Sequence, residues 1–181
     1  MSGWLSTPLS DAAARRTALT DTAHGLLVEA GAGSGKTAIL AGRVALLLAE
    51  GVAPSSIAAI TFTELAAAEL AARVREYVAQ LGAGAVPAPL QPAFPDGAPS
   101  DAQRERLAAA LANLDELTST TIHGFARELS LPYPVEAGVD PGATVIDAGA
   151  AALLFDDVFD AWLRRRLGAE AAQGLASAGA P

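Results

Sequence analysis

A glycine-rich segment, AGAGSGKT at residues 30–37, constrains the fold of this chain more than any other stretch. Its alternating glycines let the backbone turn through conformations that residues with a side chain rarely adopt. The apolar run LLV at residues 26–28 comes just before it and predicts a short buried strand. The residues that follow predict a helix over 35–49, with Gly51 as its C-terminal stop. A strand, a glycine turn and a helix in this order predict an α/β fold.

The same segment fits the phosphate-binding loop pattern, with alanine in the place of the first glycine. Its backbone amides and the N-terminus of the following helix would form a cradle for phosphates. Lys36, the only lysine in the chain, would place a compact charge between the β- and γ-phosphates, and the Thr37 hydroxyl would bind Mg²⁺. The alternative is a glycine-rich turn with an exposed lysine. The predicted nucleotide-binding residues are Ala30, Gly31, Ala32, Gly33, Ser34, Gly35, Lys36 and Thr37.

Strands and helices alternate along the rest of the chain. Besides residues 26–28, the apolar and β-branched runs at 57–62 and 118–122 predict strands. Further helices are predicted over residues 11–19, 63–81, 101–114, 123–131 and 147–167. This order predicts a parallel sheet flanked by helices on both faces. The segment 82–100 contains five prolines and is predicted to be a flexible loop, and the ends of the chain, residues 1–10 and 168–181, are predicted to be loose.

The charge of the chain limits the ligands that it binds. Its net charge of −8 argues against a broad basic surface for nucleic acid, although a narrow strand-binding cleft stays compatible with it. The absence of cysteine excludes disulfides and fits a reducing cytoplasm. Neither a signal peptide nor a run long enough to cross a bilayer is present, so we expect no membrane association.

Two later segments, together with the glycine-rich loop, resemble the N-terminal part of a UvrD/RecB-type superfamily 1 DNA helicase. ITFTELAAAELAARV at residues 60–74 is similar to motif Ia of that family, and STTIHGFARELS at residues 119–130 is similar to its T-[FI]-H-[GS] motif. The long insertion before the second segment, and PVEAGVDPGATVID after it, look more like the RecB/AddA branch. The residues that carry the two motif matches are Thr61, Phe62, Thr63, Ala66, Ala67, Glu69, Arg73, Thr121, Ile122, His123 and Gly124.

The resemblance implies a P-loop NTPase fold with a partial RecA-like, ATP-binding domain over residues 1–146. Residues 147–181 would then open a helical insertion subdomain. It also implies ATP and Mg²⁺ as ligands, single-stranded DNA as partner, movement in the 3′-to-5′ direction, and other subunits of a helicase–nuclease complex in recombination and repair.

Five residues at the predicted strand ends are the candidates for DNA contact. The hydroxyls of Thr61 and Thr63 and the amides of the next helix would hold phosphates, and Phe62 would stack on a base or sugar. The alternative for Phe62 is packing in the core. Thr121 and His123 are candidates for contact with the DNA backbone. The alternative for His123 is a packing role, which is the more common role of a lone histidine. Glu69 and Arg73 also belong to the motif match. Because they are spaced i,i+4, the alternative to a role in the motif is an ion pair on the helix.

The chain departs from the family pattern upstream of the loop. Members of this family carry a glutamine there that reads adenine, but SDAAARR at residues 10–16 has none, and Ala12 or Ala13 stands in its place. Adenine selectivity is therefore open. Arg15 or Arg16 would be able to approach the nucleotide instead.

A second departure concerns hydrolysis, which needs a carboxylate that holds Mg²⁺. Asp156 and Asp157 follow an apolar run, but apolar residues continue past them with helical spacing, which favours a helix over a strand end. We therefore expect the chain alone to bind nucleotide weakly and hydrolyse almost none. Two alternatives stay open: a self-contained kinase-like P-loop enzyme that uses Asp156 or Asp157, and a non-catalytic nucleotide-binding module.

Overall fold

The structure is a computed structural model that describes residues 11–178, with side chains described through residue 168. The predicted loose leader at residues 1–10 lies outside the described residues. The helices are α1 (Ala12–Thr20), α2 (Lys36–Glu50), α3 (Glu64–Gly82), α4 (Asp101–Ala112), α5 (Ile122–Ser130), α6 (Pro134–Ala137) and α7 (Ala148–Ala178). The strands are β1 (Ala58–Thr61) and β2 (Thr118–Thr121), and short 3-10 helices span Pro54–Ser56, Ala88–Ala93 and Leu114–Glu116.

Local side-chain chemistry fixes where the long helices begin and end. Ser100 and Gln103 form a capping box at the start of α4, in which each side chain bonds the other residue's backbone amide. Gly51 ends α2 as predicted, with a φ of 98° that only glycine adopts easily. The sequence can specify these helix boundaries, because a capping interaction joins groups that are only three or four residues apart.

The two strands form a parallel pair in the register Ala58↔Thr118 to Thr61↔Thr121. The predicted parallel pairing is therefore confirmed, and both strands end at the same edge. The prediction of a third, buried strand at residues 26–28 is wrong. That segment is extended but has no strand beside it among the described residues, and Leu27 is 89% exposed. A strand needs a hydrogen-bonding neighbour, and both described strands pair only with each other.

The core lies between α2, α3 and α4, with α1 packed against α2. The largest side chains that are completely buried are leucines and valines, and all but Leu90 lie on the predicted amphipathic helices. They are Leu19, Leu48, Leu70, Leu81, Leu90, Leu107, Val74 and Val78. The sheet contributes little to this core, since only Ala59 of β1 is buried among its apolar residues and Ile60 is 40% exposed.

The proline-rich segment at residues 82–100 contains structure that the sequence did not predict. The 3-10 helix Ala88–Ala93 packs against α1 and α2, and its Leu90 is completely buried. Gly42 of α2 makes this approach possible, because a Cβ at that position would overlap Leu90 and Leu19. Leu90 and Phe94 thereby anchor this long segment to the core, and Val86 and Ala93 pack against it.

Contacts divide the chain into two compact units, one that ends at Pro132 and one that begins at Tyr133. In the second unit, the helix predicted over residues 147–167 is confirmed, and its backbone continues to Ala178. The loose tail predicted over residues 168–181 stays a prediction, and its last three residues lie outside the described part of the chain. No helix among the described residues is long and apolar enough to cross a membrane. The division at residues 146–147 stays a prediction.

Candidate functional site

The glycine-rich loop turns into α2 through two glycines in the left-handed region. Gly33 has a φ of 74° and Gly35, the residue before the helix, a φ of 88°. Lys36 and Thr37 are then the first two residues of α2, and both are exposed. The unpaired amides of the first helical turn and the two polar side chains are therefore accessible to the same ligand.

The side chains of Lys36 and Ser34 donate hydrogen bonds to backbone carbonyl oxygens of the same loop. The Lys36 ammonium group donates hydrogen bonds to the carbonyl oxygens of Ala30 (2.8 Å) and Gly31 (2.7 Å). The Ser34 hydroxyl also donates to the Gly31 carbonyl, at 2.8 Å. Because the ammonium group is exposed and bound only to neutral carbonyl oxygens, an anion can replace these bonds with stronger ones between opposite charges.

Of the two arginines near the predicted glutamine position, the structure brings only Arg15 to the loop. Its Nη2 donates to the Ser34 carbonyl at 2.9 Å, and its Nε donates to the Asp11 carboxylate at 2.9 Å. The hydrogen bond from Arg15 lowers the pKa of Asp11 below its usual value, and the pKa of Arg15 is raised in return. The side chain of Arg16 is exposed and has no hydrogen bond among the described residues.

A cavity of about 430 Å³ lies beside the loop. Most of its lining is apolar, while Arg15 and Lys36 contribute positive charges and Asp11 and Glu29 contribute negative ones. Such a cavity suits a ligand with flat apolar faces and polar edges.

At the end of β1, the backbone turns so that Phe62 points into solvent. The Thr61 hydroxyl donates to the Thr63 carbonyl at 3.0 Å, and the Thr63 hydroxyl oxygen accepts from the Ala66 amide at 3.1 Å. The second bond caps α3. Phe62 is 89% exposed, so the alternative that it packs in the core is wrong.

At the end of β2, Thr121 links three elements. Its hydroxyl oxygen accepts from the Gly124 amide (3.1 Å), which caps α5, and the hydroxyl donates to the Glu64 carboxylate (3.1 Å) at the start of α3. Gly124 is required there, because a Cβ would overlap the Thr120 hydroxyl. Glu64 is not among the residues that the sequence predicts for this site, and its only signal there is its place directly after the TFT segment. His123 is exposed and unbonded among the described residues.

The remaining charged candidates do not join these two sites. Glu69 and Arg73 are exposed and make no ion pair in the described part of the chain, so the predicted i,i+4 pair is not formed. Asp156 and Asp157 lie within α7 rather than at the end of a strand, which confirms the helical interpretation. The described residues also include no group of three acidic, histidine or cysteine side chains arranged to hold a metal.

A left-handed glycine turn that opens a helix with lysine and threonine, in a chain that also has a parallel strand pair, is typical of nucleotide-binding α/β proteins. Comparison with known proteins identifies the family. Residues 11–174 match the UvrD/REP helicase N-terminal domain, and this chain belongs to that family.

Curated relatives agree with this assignment. The chain is 32% identical over 152 residues to an ATP-dependent helicase/nuclease subunit from Desulforamulus reducens, and the match covers 82% of this chain and 11% of the relative. It is 34% identical over 138 residues to the protein of the same name from Desulforudis audaxviator, where the match covers 75% of this chain and 10% of the relative. The chain thus spans about a tenth of the length of the curated relatives it matches.

Proposed function

We propose that this chain is the ATP-binding, single-strand-DNA-contacting N-terminal part of an ATP-dependent DNA helicase of the helicase–nuclease type. Family membership and the names of the relatives support this proposal. On this proposal the first unit is a partial RecA-like P-loop domain, and α7 opens a helical subdomain. The intact protein would move 3′ to 5′ along single-stranded DNA in the cytoplasm, together with other subunits.

The observation that carries the proposal is the conformation of the glycine-rich loop. Two left-handed glycines place Lys36 and Thr37 at the start of a 15-residue helix, with exposed side chains. The loop amides and Lys36 would hold the phosphates of ATP, and the Thr37 hydroxyl would be one ligand of Mg²⁺. In an acidic chain, this loop offers an anion both hydrogen-bond donors and a positive charge.

The strand ends are the proposed DNA contact. The Thr63 hydroxyl is able to donate its hydrogen to a phosphate oxygen, because no described residue accepts that hydrogen. Exposed Phe62 offers a face on which a base can stack, and exposed His123 offers a further donor at the same edge. Thr61 and Thr121 have already donated their hydroxyl hydrogens within the protein, so they would contribute by positioning the loop backbone.

The kinase-like alternative depended on Asp156 or Asp157 as the metal-binding carboxylate at a strand end. Both lie within a helix, and no other observation favours that alternative.

The test of the nucleotide site is the affinity of the 181-residue chain for a Mg²⁺–adenine nucleotide analogue. We expect Lys36→Ala to weaken binding by about tenfold or more, because a charge-assisted hydrogen bond contributes about 1.5–3 kcal/mol. Arg16→Ala, which removes an exposed basic side chain outside the loop, is the matched control and is expected to change affinity less than about twofold. Equal affinity in the wild-type and Lys36→Ala proteins would contradict the proposal.

A further inference from the structure

The first turn of α3 places a carboxylate at the edge where we propose that DNA binds. Glu64 is exposed, and its Oε1 accepts a hydrogen bond from the Thr121 hydroxyl at 3.1 Å. Thr121 itself is only 8% exposed, and its hydroxyl oxygen also caps α5. Among the described residues, no other hydrogen bond joins α3 to Thr121 or to α5. Glu64 is therefore the polar link between the start of α3 and the start of α5.

This link is important because burial does little to hold α5 in place. The parallel pairing of the strands ends at Thr61↔Thr121, and α5 begins directly after it. α5 has nine residues, and none of them is buried. A helix of this length normally depends on the packing of an apolar face. The position of its first turn, which carries the exposed His123, therefore depends on the polar contacts of Thr121.

The charge of Glu64 alone does not explain a carboxylate at this place. The hydroxyl of Thr63, the preceding residue, is a proposed phosphate contact, and a negative charge beside it opposes the binding of phosphate. A carboxylate in the first turn does interact favourably with the positive end of the helix. That interaction needs the charge, whereas the bond from Thr121 needs only an acceptor oxygen. Substitution can therefore separate the two roles.

We propose that Glu64 is a positioning residue for single-stranded DNA. Its carboxylate acts through Thr121 and holds the first turn of α5 in place. Phe62, Thr63 and His123 then form one preformed surface for the same DNA strand, so less conformational freedom is lost on binding. The inference rests on the proposed DNA contact at the strand ends.

The experiment compares Glu64→Gln with Glu64→Ala in the full chain. Both variants lack the charge, and only glutamine keeps an acceptor oxygen for the Thr121 hydroxyl. We expect Glu64→Gln to bind a short labelled single-stranded DNA at least as tightly as the wild type, because a repulsive charge is removed. Glu64→Ala should bind about fivefold more weakly than Glu64→Gln, since one hydrogen bond is lost. Fluorescence anisotropy at one fixed salt concentration measures the affinities, and circular dichroism measures the unfolding midpoint of each variant.

A second substitution tests whether Glu64 acts through Thr121. In a Thr121→Val background, which lacks the hydroxyl, Glu64→Gln and Glu64→Ala should bind DNA equally. Thr121→Ser, which keeps the hydroxyl, should preserve the fivefold difference. Glu76 is the matched control, because it is an exposed residue of the same helix that also accepts one side-chain hydrogen bond, from Gln80 at 2.9 Å. Glu76→Gln and Glu76→Ala should bind DNA with equal affinity.

Three results would overturn the inference. Equal affinity of Glu64→Gln and Glu64→Ala, while Phe62→Ala still weakens DNA binding, would reject the inference alone. A lower unfolding midpoint of Glu64→Ala would in that case show that the bond serves only stability. A difference between the two variants that persists in the Thr121→Val background would show that Glu64 does not act through Thr121. If the wild type binds no single-stranded DNA, or Phe62→Ala changes nothing, the proposed contact at the strand ends fails, and this inference fails with it.

Discussion

At the scale of single residues, the hydroxyl groups of three threonines at the strand ends differ in what they can still bind. Thr61 and Thr121 donate their hydrogens within the protein, to the Thr63 carbonyl and the Glu64 carboxylate. Thr63 acts only as an acceptor there, so its hydrogen stays available to a ligand. The sequence motif treats the three residues alike, whereas the structure gives Thr63 and Phe62 the accessible positions.

The residue-scale prediction concerns Phe62. We expect Phe62→Ala to weaken binding of a short single-stranded DNA by about fivefold or more, because stacking of a base on an aromatic ring contributes about 1–3 kcal/mol. Fluorescence anisotropy of a labelled oligonucleotide, at one fixed salt concentration, measures this change. The free energy of unfolding should change little, since Phe62 is 89% exposed.

The matched control for Phe62 is Leu65→Ala. Leu65 is also a large exposed apolar residue, one position into α3 beyond Glu64, and is 71% exposed. It has no aromatic face, so we expect its substitution to leave DNA affinity nearly unchanged. Equal losses in both variants would mean that Phe62 contributes only apolar surface and would contradict a stacking contact.

At the scale of secondary-structure elements, helix starts determine the positions of the candidate residues. α2, α3 and α5 all begin directly after a loop or strand end that carries candidate residues: Gly35, Thr63 and Thr121 are their N-caps. Such caps act locally, and the helix starts predicted from the sequence, at residues 35, 63 and 123, each lie within one residue of the observed start. The elements that hold these helices in place were less readable, above all the 3-10 helix at Ala88–Ala93.

The element-scale prediction tests the anchor of the proline-rich segment. Leu90 is completely buried in the main core, so we expect Leu90→Ala to lower the free energy of unfolding by about 2–5 kcal/mol, as for other buried leucines. Denaturant unfolding followed by circular dichroism measures the change. Gln91→Ala, an exposed position in the same 3-10 helix, should cost less than about 0.5 kcal/mol. A small loss at Leu90, similar to that at Gln91, would mean that the segment is not part of the core.

At the scale of the whole molecule, the two units differ in how much apolar surface they bury. All buried apolar residues of the described structure lie before residue 115. In the second unit, α7 exposes a row of apolar side chains that includes Phe155, Phe159 and Trp162, which stack on one another at about 6 Å between ring centres. The stability of the chain therefore depends on the first unit.

The whole-molecule prediction is that a chain that ends at Pro132 keeps the fold of the first unit and the proposed nucleotide site. We expect its thermal unfolding midpoint to lie within about 4 °C of that of the 181-residue chain. A change of about 1 kcal/mol in the free energy of unfolding shifts the midpoint of a domain of this size by about that amount. Its affinity for a Mg²⁺–nucleotide analogue should be unchanged within about twofold, since the loop lies in the first unit. A much lower midpoint in the shorter chain would show that the second unit stabilises the first.

The sequence by itself determined the local features of this protein. The glycine turn, the lysine and threonine that open α2, the stop at Gly51 and the parallel pairing of β1 with β2 were all predicted. Each depends on groups that are close in sequence, or on alternation of strands and helices, so the pattern alone specifies it. Because the motifs are equally local, they also identified the family, which the match over residues 11–174 confirms.

Only the tertiary structure decided the features that depend on neighbours distant in the chain. Residues 26–28 are apolar enough for a strand but have no strand beside them in the described part of the chain, so their extended backbone stays unpaired. The sequence does not indicate that Leu90 is buried in the core, or that Phe62 is exposed. It also does not indicate that the Glu64 carboxylate accepts a hydrogen bond from the Thr121 hydroxyl. Arg15 and Arg16 are adjacent and chemically identical, and only the packing of α1 against the loop brings Arg15 within 2.9 Å of the Ser34 carbonyl. Burial and hydrogen bonding between distant segments depend on where the helices pack, and a local pattern does not contain that information.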